Sequence, residues 1–162
     1  MILIILITLF LVLATFCLHQ LAFTLLARTI PMGVRATHPW FYLMMLGIFS
    51  VHLLEILLYA LGFYVAGNLL GLGYIEGEQA SGVLGHFYAS AVFYTSLGFG
   101  DVLPYGPMRF LASIEALNGL LLIAWSASFL FATMNRHWHC FSGEPPASTQ
   151  VLPEDSPPPP PK

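Results

Sequence analysis

Charged side chains are scarce in this chain of 162 residues, because Asp, Glu, Lys and Arg together make up only 8% of it. A typical soluble domain is about one quarter charged, whereas this chain is 57% hydrophobic. Its net charge is −3 and no basic stripe runs along it, so nucleic acid is not an expected partner. The composition therefore indicates a membrane protein.

Cysteine is rare as well, and the N-terminal segment has no charge at all. Cys17 lies in an apolar run and Cys140 lies beyond the last one, a spacing that fits neither a disulfide framework nor a zinc-binding pattern. We interpret both as structural thiols. Met1–Ala27 lacks a basic start and is longer than the apolar stretch of about 7–15 residues in a signal peptide. It is therefore predicted to be a retained membrane span.

Three segments are long and apolar enough to cross a bilayer, whose core of about 30 Å requires roughly 20 helical residues. They are Ile2–Ala27, Trp40–Leu69 and Phe110–Met134. A fourth apolar segment, Val83–Tyr94, has only 12 residues, which cover about 18 Å as a helix. Irregular backbone at membrane depth must be buried in protein or line a water-filled path. This half-span and the glycine-rich stretch after it therefore predict a re-entrant segment.

The basic residues predict the topology of the chain. Arg28 and Arg35 lie between the first two spans and Arg136 follows the third, which places both regions in the cytoplasm. The N-terminus and residues 71–82 are then outside, and the re-entrant segment enters from that side. Arg109 is the one basic residue that departs from this rule.

The stretch that follows the half-span has the sequence TSLGFGD. Potassium-channel filters consist of four loops of the type TVGYG, whose carbonyl oxygens replace the water shell of the ion. From about Trp40 to Arg136 the sequence resembles the potassium channel pore-domain family, in particular small bacterial channels with two pore-forming spans per subunit, and Ile2–Ala27 is additional. The resemblance implies that the filter residues bind K⁺, and these are Thr95, Ser96, Leu97, Gly98, Phe99, Gly100 and Asp101.

The chemistry of such a filter explains these residue types. Consecutive carbonyls point at one axis when left- and right-handed dihedrals alternate, and glycine adopts a positive φ at little cost. Gly98 and Gly100 meet that need. The Ser96 hydroxyl is predicted to be the innermost ligand, while the Leu97 and Phe99 side chains are predicted to point outward and pack against the pore helix.

Three positions depart from the family pattern. Ser96 and Phe99 replace the usual threonine and tyrosine, and Val92 occupies a pore-helix position where some members have a glutamate paired with the filter aspartate. Asp101 is therefore expected to need another partner or water. A weakly selective monovalent cation channel is the alternative that Ser96 and Phe99 permit.

The third span is expected to line the inner cavity of the pore. Residues that recur on one helical face are Leu120, Ile123, Ala124, Ala127 and Phe131. Gly119 falls at the place of the family's gating hinge, and close helix packing through small residues is an equal alternative for it. Glu115 lies off the cavity face and is expected behind the filter, hydrogen-bonded to the pore helix. Tyr88 and Phe87 are further candidates for filter support.

Two polar residues interrupt the second span. His52 and Glu55 share one helix face and are expected to pair with each other or with His19 and Gln20 of the first span. We interpret them as satisfied packing rather than as a pH sensor. The HWHC sequence at residues 137–140 is interpreted as an interfacial anchor rather than a metal site, so no metal is expected beyond K⁺ in the filter.

These observations together predict an all-α membrane protein with three transmembrane helices, a re-entrant pore helix and a filter, assembled as a homotetramer. The predicted regions are an N-terminal helix at 1–27, an ion channel pore domain at 40–136 and a disordered, proline-rich cytoplasmic tail at 142–162. The expected function is passive, selective K⁺ conduction in a bacterial inner (plasma) membrane, with a non-conducting scaffold subunit as a further alternative. No enzymatic activity and no cofactor are expected, and the expected partners are copies of the chain and lipid.

Overall fold

The computed structural model describes residues 1–29, 38–77 and 82–142, and most of them are helical. Three of the described helices are long and apolar enough to cross a membrane, over Ile2–Arg28, Phe41–Leu69 and Met108–Asn135. This finding confirms the predicted all-α membrane architecture. In chain order the elements are α1 (Ile2–Thr29), α2 (His38–Tyr64), a π-helical turn (Val65–Leu69), β1 (Tyr74–Glu76), α3 (Gly82–Tyr94), β2 (Leu103–Tyr105) and α4 (Met108–Ser142).

The helix ends agree closely with the predicted spans. The short helix α3 begins at Gly82, one residue before the predicted half-span, and ends at the predicted Tyr94. Helix α4 begins at Met108 and continues to Ser142, beyond the predicted end at Met134. The side chains at 136–142, including the HWHC sequence, lie outside the described residues, as do Arg35 and the tail from 143.

Helix α1 packs along both α2 and α4. The Phe23 ring stacks on the Phe129 ring with 4.4 Å between their centroids. Asn118 Nδ2 of α4 donates a hydrogen bond to Thr15 Oγ1 at 2.8 Å. Thr8 donates instead to the carbonyl oxygen one turn before it, at 2.7 Å. Such bonds satisfy polar side chains inside a bilayer, where water is absent.

A two-stranded antiparallel pair closes one end of the fold. Tyr74 is opposite Tyr105 in the register of β1 and β2, and their rings stack 5.0 Å apart at an angle of 4°. Because β1 precedes α3 and β2 follows the glycine-rich stretch, the pair fixes both ends of the re-entrant segment.

The core lies where α2, α3 and α4 meet. Its largest fully buried side chains include Tyr59, Phe63, Tyr94 and Leu111, which belong to one apolar cluster. The C-terminal end of α3 is therefore held firmly between the two flanking spans.

Candidate ion-binding site

Helix α3 ends about halfway along the spanning helices. Tyr94, its last residue, donates a hydrogen bond from Oη to Glu55 Oε2 at 2.5 Å, near the middle of α2. The carbonyl group of Tyr94 lies directly against Gly119, near the middle of the membrane-spanning part of α4. The chain then returns to β2 at the end of the fold that the strand pair closes. Residues 95–101 therefore occupy the half of the spanning region nearer the strand pair.

The backbone of this returning segment alternates between left-handed and right-handed φ angles. Positive φ angles occur at Ser96 (55°), Gly98 (59°) and Gly100 (84°), with the intervening residues in ordinary conformations. The two glycines adopt the conformation that the sequence predicts for them. An alternating backbone of this kind can direct successive carbonyl oxygens toward one side.

The positive φ of Ser96 was not expected from the sequence, and it has a local cause. The Ser96 N–H donates to the Phe93 carbonyl at 2.9 Å, and the Leu97 N–H donates to the Val92 carbonyl at 3.1 Å. These two bonds form a Schellman motif, in which the residue after the helix is left-handed. Glycine is usual at that position, so the residue type gave no signal.

All seven residues from Thr95 to Asp101 are exposed in the single chain. The Leu97 and Phe99 side chains are 59% and 66% exposed in the single chain, so their packing against the pore helix stays a prediction. A cavity of about 570 Å³ lies between this segment and the start of α4.

The aspartate after the glycines has a partner within the chain. Tyr88 Oη donates a hydrogen bond to Asp101 Oδ2 at 2.5 Å, across 13 residues of sequence. Val92 is buried beside Val102 and Ala89 and offers no polar group. Tyr88 therefore supplies the partner that the sequence left open between a side chain and water.

Glu115 contacts the short helix α3, as predicted, while its role in filter support stays a prediction. It is fully buried, and its Oε1 atom lies 2.6 Å from Ser90 Oγ of the pore helix. The Ser90 hydroxyl also lies 2.8 Å from the Ile56 carbonyl oxygen, so one hydroxyl connects the pore helix to both neighbouring spans. Phe87 of α3 is half-buried against the apolar cluster that contains Tyr59 and Phe63.

Gly119 is a position of close helix packing. A Cβ atom at 119 would lie 2.9 Å from the Tyr94 carbonyl carbon, and α4 continues as one helix through this point. The packing alternative is thus observed, while the hinge remains a prediction.

The four residues predicted to line the cavity are all on exposed surface of α4, and they are Leu120, Ile123, Ala124 and Ala127.

The polar residues of α2 pair in both of the ways considered from the sequence. Glu55 contacts His52 at 3.1 Å and His19 of α1 at 2.7 Å. Gln20, the other candidate on α1, is exposed. Tyr94 also belongs to this buried group, and its presence there was not predicted from the sequence.

Residues 48–136 match the model of a family described as ion channel. The chain belongs to this ion channel family. The match covers more than half of the chain, from within α2 to within α4, and includes α3 and the alternating segment. No curated protein and no solved structure matches the chain.

Membership of the ion channel family gives a function to the geometry described above. Three apolar spans make the chain a multi-pass membrane protein, and the family conducts ions passively across membranes. Helix α1 lies outside the family match, so its contacts with the channel region are additional to what the family model describes.

Proposed function

We propose that this chain is one of four identical subunits of a potassium-selective channel, in which residues 95–101 of each subunit form the filter. K⁺ would pass down its electrochemical gradient, coordinated by main-chain carbonyl oxygens. The observation that carries the proposal is the alternation of positive φ at Ser96, Gly98 and Gly100. Carbonyl rings of this kind replace the hydration shell of K⁺.

Assembly follows from the exposure of the same residues. Seven consecutive residues outside regular helix and strand are exposed in the single chain, at the depth of the spanning helices. Such backbone is stable in a membrane only when protein or a water-filled path surrounds it. One segment cannot enclose an ion, whereas four around an axis can, and the open cavity beside Gly98 and Ala112 leaves room for a neighbouring subunit.

The pore helix supports a cation in the same arrangement. Its C-terminal end at Tyr94 points toward the middle of the membrane, and the C-terminal end of a helix carries partial negative charge. Four such ends would converge below the filter. The basic residues Arg28 and Arg136 favour a cytoplasmic C-terminus and an outward-facing filter, in a bacterial inner membrane.

Reconstitution of the purified protein into liposomes tests the proposal. Gly98→Asp should abolish K⁺ flux, because it places a bulky anion at a position with φ of 59° in the ion path. Gly71→Asp is the matched control, since Gly71 has φ of 63° and equally open surroundings but lies in the outer loop. It should retain flux.

Three outcomes of this experiment contradict the proposal in different ways. Undiminished flux in Gly98→Asp would show that the filter lies elsewhere. Absence of flux from the folded wild type would favour a scaffold subunit. A complex whose protein mass differs from four chains of 17.8 kDa would exclude the tetramer.

A weakly selective cation channel is the second candidate, because Ser96 and Phe99 stand at positions where the resembled filters have threonine and tyrosine. Reversal potentials in opposed K⁺ and Na⁺ gradients distinguish the two candidates. A potential near the K⁺ equilibrium value supports selectivity, and a value near zero supports the second candidate.

A further inference from the structure

Two histidines and one glutamate meet inside the membrane-spanning region, away from the ion path proposed above. His19 Nδ1 of α1 lies 2.7 Å from Glu55 Oε1, and His52 Nδ1 lies 3.1 Å from Glu55 Oε2. The side chains of His19 and Glu55 are fully buried and that of His52 is 17% exposed. One ligand atom from each residue can be chosen so that all three lie within 4.8 Å of one another.

Tyr94 adds a fourth donor atom from a third helix. Its Oη lies 2.5 Å from Glu55 Oε2 and 2.9 Å from His52 Nδ1. Ligand atoms around a tetrahedral Zn²⁺ with bonds of about 2.0–2.2 Å are roughly 3.3 Å apart. The contacts in this cluster lie between 2.5 and 3.1 Å and involve both oxygens of Glu55, while one ligand atom from each of His19, His52 and Glu55 lies within 4.8 Å of the others. Binding an ion therefore requires side-chain movements of up to about 1 Å that bring these atoms to equal distances around it.

The Nε2 atoms of both imidazoles face one hydroxyl group. Ser126 Oγ lies 2.9 Å from His52 Nε2 and 3.4 Å from His19 Nε2. If both Nδ1 atoms bind a metal, both Nε2 atoms carry hydrogen, and the hydroxyl has two lone pairs to accept them. If both Nδ1 atoms instead donate to Glu55, the single Ser126 hydrogen must serve two acceptors. Metal-bound histidines generally donate their second N–H to such a partner.

We propose that His19, His52 and Glu55 bind a divalent transition-metal ion of the zinc class, with the Tyr94 hydroxyl at the fourth position and Ser126 orienting both imidazoles. Two imidazoles with one carboxylate are a ligand set that suits Zn²⁺. A carboxylate at membrane depth requires a compensating charge, and the described residues bring no lysine or arginine to Glu55.

The position of this site gives the metal a structural role. The ion would connect α1, which lies outside the family match, to α2 and to the last residue of the pore helix. Tyr94 directly precedes the filter residue Thr95 in the sequence. The inference concerns metal binding alone, so it does not rest on K⁺ conduction.

Metal titration of the full-length protein tests the proposal. The protein would carry an affinity tag without histidine, and residues 137, 139 and 140 would be changed (His137→Ala, His139→Ala, Cys140→Ser) to remove other donors. Equilibrium dialysis should find one Zn²⁺ per subunit, in the presence of excess Mg²⁺. Co²⁺ should give the visible absorption of a tetrahedral site, without the near-ultraviolet band of a sulfur ligand.

Variants assign the site to its residues. His19→Gln and Glu55→Gln should abolish saturable binding, and Ser126→Ala should weaken it roughly 10- to 100-fold. His86→Gln is the matched control and should bind as the parent protein does. His86 is also buried, but its Nδ1 contacts the Gly82 carbonyl at 2.7 Å, outside the cluster.

Two results would overturn the proposal. The first is a folded parent protein that shows no saturable binding of Zn²⁺ or Co²⁺, in which case the cluster holds only protons. The second is binding that persists in folded His19→Gln and Glu55→Gln proteins. If those variants do not elute as the parent complex does, the Co²⁺ spectrum of the parent protein decides whether a tetrahedral site without a sulfur ligand is present. None of these measurements depends on ion flux, so the proposed function can fail separately.

Discussion

Gly119→Ala separates the two roles considered for this residue, and the structure sets the size of the effect. The new Cβ would lie 2.9 Å from the Tyr94 carbonyl carbon and 3.0 Å from Tyr94 Cγ, and would overlap the carbonyl oxygen. Because the contact is with backbone, one helix must shift. Overpacking costs about 1–3 kcal/mol, and replacing a helical glycine gains about 1 kcal/mol. We expect a net loss of up to about 2 kcal/mol, near the upper end because the overlap is with backbone atoms.

Gly62→Ala provides a matched comparison within α2. Its Cβ would lie 2.5 Å from Leu11 Cδ1, but that atom is the end of a flexible side chain and can rotate away. Stability of this variant should therefore be close to that of the wild type. Thermal and denaturant unfolding of the detergent-solubilised complex measures both variants, and channel recordings measure their open probability. If Gly119→Ala retains wild-type stability while its open probability falls, the residue acts as a hinge and the packing argument is wrong.

Two further predictions concern the hydrogen bond between Ser90 and Glu115 and the strand pair of β1 and β2. Ser90→Ala leaves the buried Glu115 without its hydroxyl partner and should lower unfolding stability by about 1–3 kcal/mol. Ser90→Thr, which keeps the hydroxyl, should lose less, and equal losses would contradict the role of the bond. A hydrogen bond to Glu76 raises the pKa of Tyr105, so the folded protein favours the neutral phenol. The stabilisation that this hydrogen bond gives the folded protein is complete below pH about 10 and is lost as the pH rises further. Tyr105→Phe should reduce the alkaline decline in thermal stability, and an unchanged decline would refute this account.

The spans and the half-span could be predicted from the sequence because each depends on its own composition. An apolar run of bilayer length needs no tertiary information, and Gly98 and Gly100 indicate their backbone conformation directly. The contact of Glu115 with α3 was also predicted correctly, because a carboxylate within a span has few other polar partners.

The features that escaped prediction depend on contacts between distant residues. The strands β1 and β2 have three residues each, too few for an alternating pattern, and they form only because the chain returns to the same end. The positive φ of Ser96 arises from the turn that ends α3 rather than from its residue type. The bond from Tyr88 to Asp101 requires the returning segment to lie alongside the pore helix, which no local pattern encodes.

The strand pair formed by β1 and β2 has a consequence for how the proposed filter can change. Residue 77 lies against the Asp101 carbonyl, so the chain before α3 and the chain after the filter are held at one place. Fixing both ends of a loop reduces the conformational entropy that its interior can gain on loosening. The peptide planes of residues 95–101 can therefore rearrange, but the segment between these two fixed ends cannot move as a whole along the membrane normal.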